Sequence, residues 1–183
     1  MKYETLKHYC QQNPLTSGLI SLNILIFVLN RIPILPVIVS QPRVLNFNSF
    51  LANFSHYDLL HLLFNLLVLV QISPLLERKF TAKTYGLIVL FITILTTIGV
   101  SQLSPYPTLG FSGIALGLMV LTGLLFWKQN PIISKQMLGW AGANIVLGLM
   151  PGVSFVGHLI GAFAGMVVFG ILFLFKKRFP NQE

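Results

Sequence analysis

Acidic residues are nearly missing from this 183-residue chain: Glu4, Asp58, Glu77 and Glu183 are the only four. Catalysis by paired aspartates inside a membrane therefore lacks its second aspartate. No His-Glu-x-x-His helix is present for zincin-type chemistry. Cys10 is the sole cysteine, which excludes an internal disulfide and a thiolate metal cage. Charge of either sign is scarce, at 9% of residues. What is abundant is apolar: 55% of the chain, with a mean hydropathy of +0.80, far outside soluble averages. This composition predicts an all-α membrane protein, one compact helical bundle with no soluble domain of useful size at either end.

The segment from Met1 to Pro14 is polar, and the apolar run after it lacks a small-residue cleavage site. That run reads as a retained span rather than a signal peptide. Hydropathy and helix breakers predict six spans, over 15–32, 58–76, 84–102, 112–127, 136–150 and 155–175. The corresponding division is a cytoplasmic N-terminal segment 1–14, a six-helix unit 15–175 and a basic cytoplasmic tail 176–183. Between the first two spans, Pro33 to Tyr57 is too broken by proline for a span and too apolar for a solvated loop. A segment half-embedded in the interface is expected there.

The net charge of +8 raises the question of a nucleic-acid partner, but the basic residues form no single patch. They punctuate the apolar runs. Lys2, Lys7, Arg78, Lys79, Lys83, Lys128, Lys135, Lys176, Lys177 and Arg178 fall on one side of a six-span arrangement, and only Arg31 and Arg43 on the other. By the positive-inside rule both termini are expected in the cytoplasm, and no nucleic-acid partner is expected.

Against this background a few polar residues stand out. Ser112, in Gly110-Phe111-Ser112-Gly113, precedes Lys128 by about 24 Å of helix rise. His158 precedes Lys176 by about 27 Å, and His61 precedes Glu77 by about 24 Å. Three polar residues on three spans thus reach a similar height, just below the outer surface of a core about 30 Å thick. Such residues inside a membrane are costly to keep and are functional candidates by default. The fourth span is short, so the loop Ser104 to Leu109 is expected to dip inward and leave a polar cavity open to the outside.

Spacing within the spans points to the same convergence. His158, Gly161 and Gly165 share one nearly bare helix face, and Gly113 and Gly117 form another directly below Ser112. Small residues in this pattern let two membrane helices approach backbone to backbone. A Ser–His hydrogen bond of about 3 Å requires such an approach. On the second span His61 and Asn65 lie one turn apart, with His56 just before the helix. Buried His and Asn often serve only to hold membrane helices together. Here two donors near the depth of Ser112 also suit an oxyanion site, to which a helix starting at Ser112 adds backbone N–H groups. Asp58 is expected to cap the second helix. With so few acids, a catalytic site here is expected to be a Ser–His dyad.

The set His56…His61…Asn65, Gly110-Phe111-Ser112-Gly113 and Gly157-His158-Leu159-Ile160-Gly161 resembles the three signatures of the rhomboid intramembrane serine proteases. A Gly-x-Ser-Gly alone is a weak signal, but all three motifs stand in order on the appropriate spans. The resemblance covers nearly the whole chain and is to the minimal bacterial form. It implies a six-transmembrane-helix rhomboid-like bundle in a cell membrane, the bacterial inner membrane for that form. Ser112 would be nucleophile, His158 general base, and His61, Asn65 and the Ser112 N–H the oxyanion hole. His56 would support that loop, with Gly110, Gly113 and Gly161 shaping the site, and Glu77 matches a further family position.

Three positions depart from the family pattern. Phe47-Asn48 stands where Trp-Arg is common, which predicts a less stiff first loop. Leu116 stands where many members stack an aromatic on the base, which predicts a base held less firmly. Ser73 and Thr81 replace glycines that often flank the glutamate. The resulting expectation is a serine endopeptidase without cofactor or metal, acting on transmembrane or membrane-tethered proteins near the outer leaflet. The alternatives are a non-catalytic rhomboid-like protein that binds transmembrane clients and a transporter whose histidines hold a metal ion. Against the transporter stand the missing internal repeat and the few carboxylates.

Overall fold

The structure, a computed structural model, describes residues 3–178. Lys2 and Glu183 lie outside the described residues, as do the side chains of Glu4, Lys176, Lys177 and Arg178. The helices are α1 (Tyr3–Gln12), α2 (Pro14–Leu29), α3 (Phe47–Leu51), α4 (Leu59–Lys79), α5 (Ala82–Leu103), α6 (Ser112–Leu125), α7 (Pro131–Leu147) and α8 (Phe155–Arg178). A 3₁₀ turn, Ala52–Phe54, follows α3. Among the described residues there is no strand, only an isolated bridge between Ser40 and Thr108.

A helix lies over each of the six predicted segments, and the ends follow local chemistry. Asp58 caps α4, accepting the His61 N–H at 2.8 Å, as expected. Thr81 caps α5 through the Thr84 N–H. The largest displacement is α7, which begins at Pro131 rather than at 136. Asn130 accepts the Ile133 N–H at 3.1 Å, and Pro131 fills the first helical position, where its missing N–H costs nothing.

Among the described residues, three helices are long and apolar enough to cross a membrane: α4, α5 and the Phe155–Phe175 part of α8. Helices α2 and α6 are apolar but shorter. Leu60, Leu63, Phe64 and Leu67 on α4, and Leu159, Phe163 and Met166 on α8, stand exposed on the outer faces. So much apolar surface is at home against lipid, not water.

Helix α6 is the axis. Every residue from Gly113 to Gly123 is buried, and α4, α5, α7 and α8 pack around it. A helix apolar on all sides has no face for water and sits inside. Its tightest neighbour is α8, through the two bare faces the sequence predicts. A Cβ added at Gly161 would run into the carbonyl of Gly113, and one at Gly165 into that of Gly117. In the other direction, a Cβ on Gly117 would come within 2.8 Å of the Gly161 oxygen. The two backbones therefore touch close to Ser112 and His158.

At the opposite end, α2 is pinned to α4 by one carboxylate. Glu77 accepts the N–H groups of Leu15 at 2.7 Å and Thr16 at 2.9 Å, and the Thr16 hydroxyl at 2.6 Å. These are orphan donors of the first turn of α2, where a negative charge also suits the helix dipole. Ser73 completes the cluster, bonding the Thr16 hydroxyl at 2.6 Å and also the Tyr85 hydroxyl. Glu77 is buried, and its partners on α2 have no local mark in the sequence.

Backbone contact at α6–α8 makes side-chain bulk costly at the seam, while Gly170 lower on α8 faces open space. Gly161→Ala should lower stability by about 1–3 kcal/mol through overpacking. Gly170→Ala, where a Cβ meets nothing within 4 Å, should be neutral or slightly stabilising. Thermal unfolding of the two variants in one detergent checks the contrast.

Candidate active site

The segment leading to α6 is set by glycine and phenylalanine. Gly110 has φ of +126°, a backbone conformation that L side chains rarely adopt, and its N–H donates to the Ala52 carbonyl at 2.9 Å. Phe111 is fully buried and packs on Phe54 with ring centroids 6.0 Å apart. These contacts fix the start of α6 at Ser112, and no side chain caps that start. The N–H groups of the first turn thus have no intrahelical partner.

On α8 the first turn is held by Ser154, whose hydroxyl accepts the Gly157 N–H at 3.1 Å and whose carbonyl accepts the His158 N–H at 3.0 Å. His158 is buried, and its Nε2 lies 3.1 Å from the Ser112 hydroxyl. Its Nδ1 lies 2.8 Å from the Asn144 carbonyl oxygen near the end of α7. A carbonyl only accepts, so Nδ1 carries the hydrogen and Nε2 offers its lone pair to Ser112. Residues 46 positions apart in sequence are thus brought into hydrogen-bond contact. Asn144 was not singled out by sequence, because a main-chain carbonyl carries no side-chain signature.

The remaining site residues are arranged around this pair. The His61 ring lies against Gly110: a Cβ there would come within 2.9 Å of His61 Nε2 and 3.8 Å of the Ser112 hydroxyl. The His56 ring meets the His61 ring edge-on, centroids 4.9 Å apart. Asn65 is buried, and its amide nitrogen donates to the His61 carbonyl on its own helix at 2.8 Å. In this arrangement one of the two Asn65 donors is engaged in the helix. Among the described residues no group of three or more His, Cys, Asp and Glu side chains comes together as metal ligands.

A narrow cleft, with a cavity volume of about 20 Å³, opens beside Ser112. Ser40, Asn53, Thr96, Thr97 and Ser154 are among its lining residues, so its wall is rich in small polar groups. The loop that forms one side is tied down at several points despite its proline content. Ser40 and Thr108 exchange two backbone hydrogen bonds of 2.9 Å, and the Arg43 N–H donates to the Ser101 carbonyl at 2.6 Å. Asn53 donates to the Thr97 hydroxyl at 2.8 Å. Asn46 and Ser49 form a capping box on α3, and Phe47, Phe50 and Phe54 follow as a ladder of rings. Where Phe47-Asn48 predicts a less stiff loop, these anchors hold it by other means.

The Rhomboid domain family profile matches residues 46–175 of this chain. A rhomboid protein of Acanthamoeba polyphaga mimivirus is similar as well, 31% identical over 146 residues. That match covers 74% of this chain and 80% of the viral protein.

His56 gives the site an acid-sensitive element outside the spans. Its imidazole is pushed down to about 4, first by burial and then by the neighbouring His61. Between that value and the ordinary 6.5 the unfolded chain binds a proton that the folded chain does not. Stability should therefore fall as pH drops through this window, and His56→Phe should flatten the fall. Melting temperatures at stepped pH, for both proteins, check it.

Proposed function

This chain belongs to the rhomboid family, and on that premise we propose that it is an intramembrane serine endopeptidase working through a Ser112–His158 dyad. The observation that carries the reading is the 3.1 Å contact between His158 Nε2 and the Ser112 hydroxyl, with Nδ1 already bonded to a carbonyl. Neither partner needs to move for proton transfer to begin.

In the first half-reaction the Ser112 oxygen bonds to the scissile carbonyl carbon while its proton passes to His158 Nε2. The oxyanion forms beside the uncapped N–H groups at the start of α6, with His61 and Asn65 as additional donors. Asn65 can contribute its second N–H, or its first by releasing the His61 carbonyl. As the tetrahedral intermediate collapses, the C–N bond breaks and Nε2 delivers its proton to the leaving amine. Water then attacks the acyl-enzyme, giving its proton to Nε2, and the carboxylate product leaves as Ser112 regains a proton. Donors aimed at charge that exists only in the intermediate raise turnover rather than affinity.

The protein is a multi-pass membrane protein. Its arrangement is read here as six spans, α2 and α4 to α8, with both termini in the cytoplasm. The ten-to-two distribution of basic residues supports this sidedness. Helix α6, at 14 residues, covers about 21 Å and cannot by itself cross a core of about 30 Å. That deficit is consistent with Ser112 lying below the outer surface, reached by water through the cleft. The substrates are transmembrane or membrane-tethered proteins that expose a scissile carbonyl near the outer leaflet. Residues 15–175 form the catalytic unit, with 1–14 and 176–183 on the cytoplasmic side.

A client-binding protein without activity would need no base aligned on a hydroxyl. Ser112→Ala is expected to abolish cleavage and labelling by a fluorophosphonate probe while leaving the melting temperature nearly unchanged. Labelling of Ser112→Ala at the rate of the unaltered protein would sink the serine-protease reading. Sidedness is tested separately in a chain with Cys10 replaced by serine. A cysteine at Tyr106 should react with an impermeant thiol reagent from outside the cell, and one at Lys128 only after lysis.

A further inference from the structure

The dyad has no acid to orient its base, and no aromatic ring stands at position 116, where Leu116 is fully buried instead. What His158 does have is the peptide carbonyl of Asn144, 2.8 Å from Nδ1. That carbonyl belongs to the last turn of α7 and also accepts the Gly148 N–H at 3.0 Å. Carbonyls at a helix C-terminus carry the negative end of the dipole.

The corner between α7 and α8 is built to hold this contact. A Cβ on Gly148 would lie 2.9 Å from Phe155 Cα and 3.3 Å from His158 Nδ1, so bare backbone is seated against the imidazole. The other attachments of α7 lie further from the dyad. Its Ser134 hydroxyl donates to the Gly123 carbonyl at 2.7 Å, and Ser134 and Ala141 are its only buried residues. The end of α7 thus meets the base through its main chain.

We infer that the Asn144 peptide carbonyl is the positioning group of this dyad, doing by main chain what an aspartate side chain does in a triad. This rests on the serine-protease reading. The carbonyl accepts Nδ1–H, which fixes the tautomer with a free Nε2 lone pair. It then faces the positive charge that appears on the ring when Nε2 takes the Ser112 proton. The Nδ1 proton stays on the ring throughout, since a carbonyl cannot take it. Because the group is backbone, no side-chain substitution at Asn144 removes it.

The test replaces Ile145 by its α-hydroxy acid, which turns the Asn144–Ile145 amide into an ester and weakens the Asn144 carbonyl as acceptor. The same change at Val146 is the control: it removes one helical N–H as well, but weakens the Ile145 carbonyl instead. The fluorophosphonate labelling rate of Ser112 should fall about tenfold in the first ester, the equivalent of one ordinary hydrogen bond. It should be nearly unchanged in the second, while both lose similar thermal stability. In the unaltered protein, ¹⁵N NMR of the His158 ring should show a protonated Nδ1. A protonated Nε2 with labelling intact, or equal loss of labelling in both esters, overturns the assignment. Absence of labelling in the unaltered protein sinks the protease reading and this role with it, and a protonated Nδ1 in that case marks the hydrogen bond as structural.

Discussion

Everything near Ser112 depends on two helix backbones being allowed to touch. With ordinary side chains between them, helix axes stay about 8–10 Å apart. Gly113 and Gly117 on α6, against Gly161 and Gly165 on α8, remove that spacer. In lipid there is no hydrophobic drive to bring helices together, so the closeness is maintained by dispersion contacts along bare backbone. The cost is that the seam tolerates no added atom, and the gain is that Ser112 and His158 come within hydrogen-bond distance.

A second constraint is polar. Each buried hydrogen-bonding group in such a bundle must find a partner inside the protein. Glu77 resolves this at one end by collecting the free N–H groups of α2. At the other end the start of α6 has no side-chain cap and the Thr96 hydroxyl has no partner. Thr96 and Ser40, whose hydroxyls are both without partners, border the open cleft. The same rule that stabilises one end leaves polar groups facing a cleft at the other.

Much of this was legible in the sequence for physical reasons. The hydrophobic runs, the Asp58 cap and the paired glycine faces are local patterns, and each maps onto an element of the fold. Less was legible where the signal was short or non-local. The α1 helix follows no apolar run, and α3 lies within a segment whose prolines dominate its pattern. The early start of α7 was written in Asn130-Pro131, a capping signal outweighed by the hydropathy of the run after it. Glu77 was legible as a charge at the expected cytoplasmic end of its span, but neither its burial nor the helix it caps was. The Asn65 amide, expected to face the site, spends one donor on its own helix, a local option open to any asparagine one turn after a free carbonyl.

Ser112 and His158 face different surroundings. Ser112 leads a helix enclosed by protein on every side, whereas the helix of His158 presents Leu159, Phe163 and Met166 outward. Bilayer thickness acts on helices that touch acyl chains, by tilting or stretching their fit to the hydrocarbon. A change in bilayer thickness therefore acts directly on the helix of His158 and reaches the helix of Ser112 only through its protein neighbours. The bilayer has a mechanical handle on one partner of the pair, and the glycine seam is the joint across which that effect is felt.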